Sequence, residues 1–530
     1  MNHALDSANQ RLHERVVRPS RVGDTTGRVG PALSVPLGEL LERLGLIGAT
    51  DALLGQYEQD LGDTRRIGEI LVAHGLVTEE QVADALRLQV EPAGTSEGPA
   101  TDRFDATGAW TRRRRNLQSL VLFAVAMVGV LVVTSVSGGG GSWYALGALS
   151  LLGVKLVGSA RYRPARSPAP AGTRVAVVVC LYNEDPEAFR RCLASIVRQT
   201  RAPDEVWVID DGSPDEACLR LAREQLEGVA GAVHRLDHNG GKRHAQRFAF
   251  ERTTCEIVMT LDSDTELDDA AIAEGLRPFA DPRVNAVTGN VRALNYDRNV
   301  LTRLIDLRYA YAFLFERAAY STVGSVVCCC GSLSFYRTAL VRRHLADFVG
   351  QTFLGVPVQF GDDRRLTQYA LQSGRAVLQD TAVGYTLVPE RIGHFRRQQL
   401  RWNKSFFRET LWTLRRSGLR RWPFWISLVE LTIWIASAAS LINTVYVRPV
   451  VSGQLMPWHY AAYAVLLAYA RNVRYLGRPR ASLRSQIVTF ALAPLYSVLH
   501  VVLLTPLRLY ALLTLRRSHW GTRARVEVHA

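Results

Sequence analysis

The segment "EIVMTLDSDTEL", residues 256–267, runs from apolar side chains into a pair of carboxylates. Its unbroken apolar run favours a strand that is buried on both faces, because a half-exposed strand alternates apolar and polar residues. Similar runs are "RVAVVVCLYNE" (174–184), "EVWVIDDGS" (205–213) and "VNAVTGNVRAL" (284–294), and helical segments separate them. This alternation predicts an α/β domain with a mostly parallel sheet and helices on both faces.

Carboxylates cluster where these strands end or in the loops of the same region: Asp210-Asp211, Asp262-x-Asp264 and Asp362-Asp363. In parallel sheets, ligands bind at the carboxyl ends of the strands. Clustered carboxylates repel one another unless a cation or hydrogen-bond donors intervene, and an oxygen-only set suits Mg²⁺ or Mn²⁺. The pattern predicts a divalent cation that bridges a diphosphate. A calcium EF-hand is excluded, because Leu267 and Ala273 replace the required Gly and Glu.

The charge distribution favours a membrane over nucleic acid. The 530 residues carry a net charge of +15, but no DNA- or RNA-binding motif accompanies it. The basic residues instead flank apolar segments: "RRRR" (112–115), "RYRPAR" (161–166), "RRSGLRR" (415–421) and "RNVRYLGRPR" (471–480). This is the positive-inside pattern of a multi-pass protein of the inner (plasma) membrane, with the α/β domain and both termini in the cytoplasm.

The apolar segments predict two groups of transmembrane helices. Residues 112–160 form a hairpin from the spans 117–136 and 143–160, and residues 423–515 begin with a second hairpin from 423–447 and 459–473. The last apolar run, 487–515, contains Pro494 and Pro506 and is long for one helix, so we expect a broken or re-entrant pair. Glu430 lies within a span, which predicts a polar, channel-facing position.

The N-terminal region contains a repeat. Residues 1–30 are expected to be disordered, residues 31–91 to form a small all-α domain, and residues 92–111 to form a linker. Within the domain, "PLGELLERLGLIGATDALLGQYEQ" (36–59) aligns with "RIGEILVAHGLVTEEQVADALRLQ" (66–89) at a spacing of 30 residues, and Thr78 carries a helix-start signal. The domain resembles the N-terminal domain of type II secretion and pilus ATPases. Related forms bind cyclic di-GMP through an arginine that opens each copy; Arg66 matches it but Pro36 does not, so a docking module is the alternative.

An ordered set of motifs carries a second resemblance: "YNE", "DDGS", "GGKRHA", "LDSDTEL", "GDDRRLT" and "QQLRW". The set resembles the processive inverting glycosyltransferases that include cellulose, chitin and hyaluronan synthases. The resemblance to bacterial hyaluronan synthases is closer and rests on "QTFLGVPVQFGDDRRLT" (351–367), "RQQLRWNKSFFRE" (397–409), "PLYSVLHVVLLTPLRLYALLTL" (494–515) and "WGTR" (520–523). It implies a GT-A catalytic domain over 166–390 between the transmembrane segments, an interfacial amphipathic segment over 391–421 and a cytoplasmic tail over 516–530.

The resemblance also implies the residues that hold the donor nucleotide. Asn183, Glu184 and Asp211 would hold the uridine end. Lys242 and Arg243 would neutralise phosphate charge, with solvated side chains as the alternative. The diphosphate would lie between Asp262 and Asp264 with the metal on these carboxylates, chiefly Asp264, and Gln398 would donate a hydrogen bond to it.

Catalytic and acceptor roles follow in the same way. Asp363, beside Asp362, would be the general base for the acceptor hydroxyl, and Arg401 would stabilise the leaving UDP. The acceptor would contact Trp402, Cys330, Ser332 and Arg523. Ser332 departs from the family, which usually has proline there. Four cations of the interfacial segment would also meet anionic lipid headgroups: Arg396, Arg397, Lys404 and Arg408.

Together these features predict an enzyme that polymerises sugars from UDP-GlcNAc and UDP-glucuronate and secretes the growing polysaccharide across the membrane. One alternative is a chitin-like synthase that uses UDP-GlcNAc alone. The other is a cyclic-di-GMP-responsive membrane receptor with a degenerate transferase domain. The intact acidic clusters argue against that second alternative.

Overall fold

The computed structural model describes residues 67–82, 142–453, 458–476 and 480–517, with the single residues 41, 46, 47, 121, 124, 125, 128, 129 and 478. The chain forms two compact units, residues 1–100 and 101–530. Four predictions lie wholly or mostly outside the described residues: the disordered terminus 1–30, the linker 92–111, the first span 117–136 and the tail with Arg523.

In the N-terminal unit, two described turns share a hydrogen-bonding pattern. Helix α1 (Ile67–Ala73) ends in a turn where Leu76 N donates to Leu71 O at 3.0 Å, and Leu46 N donates to Leu41 O at the same distance 30 residues earlier. Leu41 and Leu71 lie in one apolar cluster with Ile47 and Val77. Thr78 and Gln81 exchange side-chain-to-backbone hydrogen bonds of 2.9 and 3.2 Å, which form the capping box that the sequence predicts.

The larger unit contains an eight-stranded sheet in the order β3-β2-β1-β4-β7-β6-β10-β5. The neighbours pair in parallel except at β4–β7, β7–β6 and β10–β5. A separate ribbon pairs β8 with β9. The strands are β1 Val175–Leu181, β2 Glu205–Asp210, β3 Gly231–Arg235, β4 Ile257–Asp262, β5 Thr265–Leu267, β6 Val284–Ala293, β7 Leu333–Arg337, β8 Thr352–Phe353, β9 Val356–Pro357 and β10 Arg375–Thr386.

Helices alternate with these strands. Within the α/β region they are α3 Pro186–Val197, α4 Ala217–Gln225, α5 Lys242–Arg252, α6 Ala271–Leu276, α7 Val300–Tyr311, α8 Ala318–Ser321, α9 Thr338–Arg343, α10 Leu345–Val349 and α11 Asp362–Ser373. The flanking and following helices are α2 Ser142–Arg161, α12 Ile392–Arg416, α13 Trp422–Ile442, α14 Arg448–Ser452, α15 Trp458–Asn472, α16 Leu483–Ala491, α17 Ala493–Leu499 and α18 Thr505–Leu513. The α/β architecture is therefore as predicted.

The register of the three central strands brings their acidic ends together. Leu181, the last residue of β1, pairs with Asp210 of β2, and Cys180 pairs with Asp262 of β4. Residues 175–179 of β1 are fully buried, which explains why this strand reads as a continuous apolar run. Because the strands are parallel and level, their carboxylates meet at one edge of the sheet.

Two of the described helical segments are long and apolar enough to cross a membrane. They are Trp422–Ile442, with 21 residues, and Leu483–Leu513, with 31 residues. The second segment is where the sequence predicts a broken or re-entrant pair. The structure has one helical run that is interrupted at Leu492, two residues before Pro494, and the number of membrane crossings in this segment stays a prediction. Proline lacks the N–H that would continue the helical hydrogen bonds, which explains why the helix is interrupted just before Pro494.

Charged side chains connect the helices inside this apolar region. Lys155 of α2 donates to Glu316 Oε1 at 3.0 Å and to Glu430 Oε1 of α13 at 2.8 Å. Glu316 also pairs with Arg308 at 3.0 Å, and the Tyr320 hydroxyl donates to Glu430. Glu430 thus has the polar surroundings that its sequence position predicts, and the side chains of Lys155 and Tyr320 supply them.

A buried ion pair connects the helical region to the sheet. Asp306 of α7 pairs with the Arg478 Nε at 2.6 Å and accepts a hydrogen bond from Tyr475 at 2.8 Å. Its other oxygen accepts from Ala293 N, the last residue of β6, at 3.1 Å. Both ionised groups are nearly excluded from water, so separating them would leave unpaired buried charges. The pair therefore fixes the helical region against the end of β6.

Candidate active site

Two backbone amides in the loop before α5 form a cradle for the carboxylate that follows β2. Asp211, directly after β2, accepts hydrogen bonds from Gly240 N and Gly241 N, both at 2.9 Å. Gly241 has a φ of +89°, which favours glycine, and it begins helix α5. Burial raises the pKa of Asp211 to about 6, and these amides oppose the rise. Asn183, also at a positive φ of 51°, donates its N–H to Ser213 at 2.9 Å.

Asp262, at the end of β4, is held from two sides. Lys242, the first residue of α5, donates to its Oδ1, and Ser332 Oγ donates to its Oδ2 at 2.7 Å. Lys242 Nζ also lies 3.8 Å from Asp362 Oδ2. Asp264 Oδ1 accepts a hydrogen bond from Thr386, at the end of β10, at 3.0 Å. The two acidic motifs, separated by about a hundred residues in sequence, therefore share one lysine.

Asp362 and Asp363 occupy the first turn of α11. This position stabilises negative charge, because the unpaired N–H groups of a helix point outward from its N-terminus. The preceding Gly361 has a φ of +89°, and a Cβ there would lie 2.3 Å from Ser405 Oγ. Glycine is thus required for the close approach of this loop to α12.

Helices α11 and α12 are fastened together behind the carboxylates. Arg365 and Glu409 form a buried ion pair with an N–O distance of 3.2 Å. Glu409 also accepts from Gln351 at 2.7 Å, and Thr413 donates to Gln368 at 2.7 Å. These contacts set the position of the "QQLRW" motif relative to Asp363.

Trp402 and Gln398 of that motif differ in their exposure to solvent. Trp402 is 44% exposed, as a platform for an acceptor sugar would be. The Gln398 Oε1 atom is buried and accepts no hydrogen bond from any described residue. A buried amide with an unused acceptor suits a site that a polar ligand completes.

Some predicted site residues lie elsewhere. The Arg243 guanidinium is buried and donates to the carbonyls of Phe348 at 2.7 Å and Phe360 at 3.4 Å, so it is neither solvated nor beside the Asp262 carboxylate. Lys404 donates to Arg517 O at 2.9 Å and Arg408 to Leu515 O at 3.2 Å. The prediction that these two cations meet lipid headgroups is therefore wrong, because both are buried against the end of the last helix.

Several contributors to the site were not predicted. The Cys328 Sγ lies 3.9 Å from Asp363 Oδ2, and Gln246 donates to Asp362 at 3.3 Å. Thr386 and the two glycine amides also contact the acidic residues. Only the glycines had a visible signal, since consecutive glycines before a helix supply free N–H groups for an acidic partner.

The acidic residues suit a divalent cation that a ligand helps to hold. Among the described residues, no group of three or more His, Cys, Asp or Glu side chains converges in the manner of a closed metal site. Two carboxylates, Asp262 and Asp362, nevertheless lie within 4 Å of Lys242, so negative charge exceeds positive charge there, and the donors are all oxygens. Mg²⁺ characteristically takes one or two carboxylates and completes its shell with substrate phosphates and water.

The Asp363 carboxyl predicts a pH dependence. Burial and the neighbouring Asp362 charge raise the pKa of Asp363 to about 6 from its ordinary 3.8. The general-base role that the sequence predicts for Asp363 requires a deprotonated carboxylate, so this prediction implies that kcat for sugar transfer falls as the pH drops through about 6. Asp211 titrates in the same range and would change KM, so kcat is the quantity to measure. A kcat that stays constant down to pH 5 would contradict the assignment.

The chain is similar in sequence to known glycosyltransferases. Residues 176–345 match the model of glycosyl transferase family 2. The chain is 36% identical to hyaluronan synthase from Streptococcus pyogenes over 415 residues, which cover 77% of this chain and 94% of that protein. It is 35% identical to an N-acetylglucosaminyltransferase from Azorhizobium caulinodans over 359 residues, or 67% of this chain and 88% of that protein.

Among solved structures, the chain is similar to a mannosyltransferase from Pyrobaculum calidifontis in complex with GDP-Man and Mn²⁺. The TM-score is 0.45 with 22% identity, over 73% of this chain and 99% of that one. The sheet of the present chain, its acidic strand ends and the extent of the sequence match to the streptococcal enzyme place it in one family. The chain belongs to the hyaluronan synthases of glycosyl transferase family 2 and is a processive glycosyltransferase.

Proposed function

We propose that the enzyme builds a polysaccharide by adding N-acetylglucosamine and glucuronate alternately from UDP-GlcNAc and UDP-glucuronate. The polymer leaves through the enzyme's own helices. The observation that carries the choice of an anionic product is the excess of cations in the helical region beside the active site.

In the part of that region that the structure describes, positive side chains outnumber carboxylates. Its cations are Lys155, Arg308, Arg471 and Arg508, whereas its carboxylates are Glu316 and Glu430. Arg308 and Arg471 lie 5.5 and 4.5 Å from the centre of the Tyr311 ring. His500 is also close to the three arginines. Charges within apolar helices are costly, so an uncompensated excess suits a path for a polyanion.

The cationic region begins next to the acceptor platform. Arg508 Nε donates to Asn403 Oδ1 at 2.8 Å, and Asn403 directly follows Trp402. Arg508 therefore contacts the same helix that carries Trp402, and the proposed path of the sugar chain runs from Trp402 along the cationic region. A neutral chitin-like chain would gain nothing from such charges, which favours the glucuronate-containing product.

The residues of the site can perform a single displacement. Asp363 accepts the proton of the acceptor hydroxyl while that oxygen attacks the anomeric carbon of the donor sugar, and the bond to UDP breaks with inversion. Lys242 neutralises charge on the departing diphosphate, and Arg401 adds a second positive charge. Asp264 and Asp262 would hold Mg²⁺ or Mn²⁺, which when bound supplies further charge neutralisation. Asp211 and the amide cradle hold the nucleotide end.

We further infer a multi-pass arrangement in the inner membrane, with the catalytic domain and both termini in the cytoplasm. Its support is that basic residues lie at the two outer flanks of each apolar hairpin, 112–115 and 161–166 for the first and 415–421 and 471–480 for the second. Arg396 and Arg397 are exposed on α12 and suit contact with anionic headgroups. Cyclic di-GMP binding by the N-terminal unit stays a prediction, because most of the first repeat copy lies outside the described residues.

The decisive experiment supplies the purified full-length protein, in detergent with Mg²⁺, with UDP-GlcNAc alone, UDP-glucuronate alone, and both. We expect a large product that hyaluronidase degrades, only when both donors are present, and none when EDTA removes the metal. Polymer from UDP-GlcNAc alone would assign the chitin-like activity instead. Absence of both polymer and UDP release, from protein shown to be folded, would favour the receptor alternative.

A further inference from the structure

We propose that Ser332 is a positioning residue that orients Asp262 for metal-dependent binding of the donor diphosphate. The proposal deepens the proposed function and rests on it. It differs from the role that the family resemblance implies for this segment, which is contact with the acceptor.

The geometry gives Ser332 a defined partner. Its hydroxyl is 2.7 Å from Asp262 Oδ2, and the residue is only 8% exposed. Lys242 donates to the other oxygen of the same carboxylate. Asp262 is therefore held by two donors from different elements, and rotation of its carboxylate would break both contacts. Each carboxylate oxygen retains further acceptor sites, so both contacts are compatible with a cation.

The loop that carries Ser332 is itself fixed. Cys329 N donates to Thr367 Oγ1 at 2.9 Å, and Cys330 N donates to Thr288 Oγ1 at 3.2 Å. Thr367 belongs to α11, the helix that begins with Asp362 and Asp363. The loop therefore connects α11, through Thr367, to the Asp262 carboxylate, through Ser332.

The path of the loop explains why a hydroxyl at this position matters. A Cβ on Gly331 would lie 3.6 Å from Lys242 Nζ and 3.7 Å from Asp363 Cβ, so the chain passes directly between the two acidic motifs. A side chain at 332 then lies over Asp262. Proline, which is usual there in the family, has no donor, so this chain holds its carboxylate by a contact that proline cannot make.

The test compares Ser332→Ala and Ser332→Thr with wild type in the full-length detergent-solubilised protein. Calorimetry measures UDP affinity with and without Mn²⁺, and initial rates give KM and kcat for both donors. Loss of a hydrogen bond to a charged group predicts UDP affinity with Mn²⁺ that is about 10-fold weaker in Ser332→Ala. KM should rise for both donors with little change in kcat, and the hydroxyl of Ser332→Thr should restore the affinity.

Ser325→Ala is the matched control. Ser325 is a buried serine of the same connection whose hydroxyl donates only to the Val323 carbonyl, at 3.3 Å. It should keep wild-type UDP affinity with Mn²⁺ even if its melting temperature falls. Equal affinities of Ser332→Ala and wild type would overturn the proposal, and so would a fall in kcat alone, which would assign Ser332 to the acceptor. Failure of the proposed function would show separately, as wild-type protein that binds UDP with Mn²⁺ but forms no polymer.

Discussion

Asp363→Asn should lower kcat for polymer synthesis by about 10²–10⁴-fold, because asparagine cannot accept the proton of the acceptor hydroxyl. The substitution keeps the size of the side chain and its place in the first turn of α11. The Asp363 carboxyl belongs to α11 and lies 3.9 Å from Cys328 Sγ, whereas the amide cradle precedes α5 and holds Asp211. UDP affinity with Mn²⁺ should therefore stay within about threefold of wild type, as calorimetry can measure.

Asp281→Asn is the control for this prediction. Asp281 lies before the start of β6, at the opposite end of the sheet, where it pairs with Arg283 at 3.0 Å. It should leave the rate of synthesis unchanged. A normal polymer yield from Asp363→Asn would refute the general-base assignment, and loss of UDP binding in the same protein would show that Asp363 belongs to the nucleotide site.

Lys242→Met should lower kcat/KM for both UDP-sugars by about 10²–10³-fold, the usual cost of removing one group that stabilises charge in a transition state. Lys242 touches Asp262 and approaches Asp362, so its loss removes a cation from one buried carboxylate, Asp362, and from the partly exposed Asp262. We therefore expect a lower melting temperature as well. Saturating UDP and Mn²⁺ should recover part of that stability, since a ligand that binds the folded state stabilises it.

Arg247→Met provides the comparison on the same helix. Arg247 is half-exposed and pairs with Glu251 one turn further on, a contact worth little in water. Its kinetics should match those of wild type. If Lys242→Met retained wild-type kcat/KM, the lysine would be a structural counterion only, and the charge on the departing diphosphate would have to be neutralised by other groups.

The sequence predicts the convergence of the acidic strand ends well, for a physical reason. Strands buried on both faces leave a clear apolar pattern, and parallel strands bring whatever follows them to one edge of the sheet. Asp211 and Asp262 could thus be placed together without any knowledge of side-chain contacts. The Asp362-Asp363 pair was visible as a third acidic cluster, but the role predicted for Asp363 came only from the family resemblance, because the pair lies in the first turn of a helix and not at the end of a parallel strand.

Directions of side chains on helices were harder to predict. Lys242 and Arg243 are adjacent in sequence, and both were predicted to neutralise phosphate charge. Neighbouring helical residues point about 100° apart, however, so Lys242 meets Asp262 while Arg243 turns into the core toward the Phe348 carbonyl. Lys404 and Arg408 are four residues apart and share a face, but which surface that face meets depends on the position of a helix a hundred residues away.

The contacts that hydroxyl groups make with the acidic residues could not be predicted from the local sequence. Thr386 and Ser332 reach the acidic residues from distant strands and loops, and nothing in their local sequence distinguishes them from other buried hydroxyls. The departure from proline at Ser332 was visible, but its meaning was not, because the partner is 70 residues away. Such contacts require the register of the sheet to be known first.

The ion pairs of Lys155 also bear on how the protein is made. In the membrane arrangement proposed above, Lys155 leaves the ribosome 275 residues before Glu430, and at 5–20 residues per second that interval is about 14–55 s. Lys155 lies six residues before Arg161, the end of its helix, or about 9 Å along the axis. A lysine at that depth can extend its ammonium group to the cytoplasmic surface. The Lys155 ammonium group can therefore stay hydrated while the rest of the chain is made. It turns inward only after Glu316 and Glu430 have been synthesised.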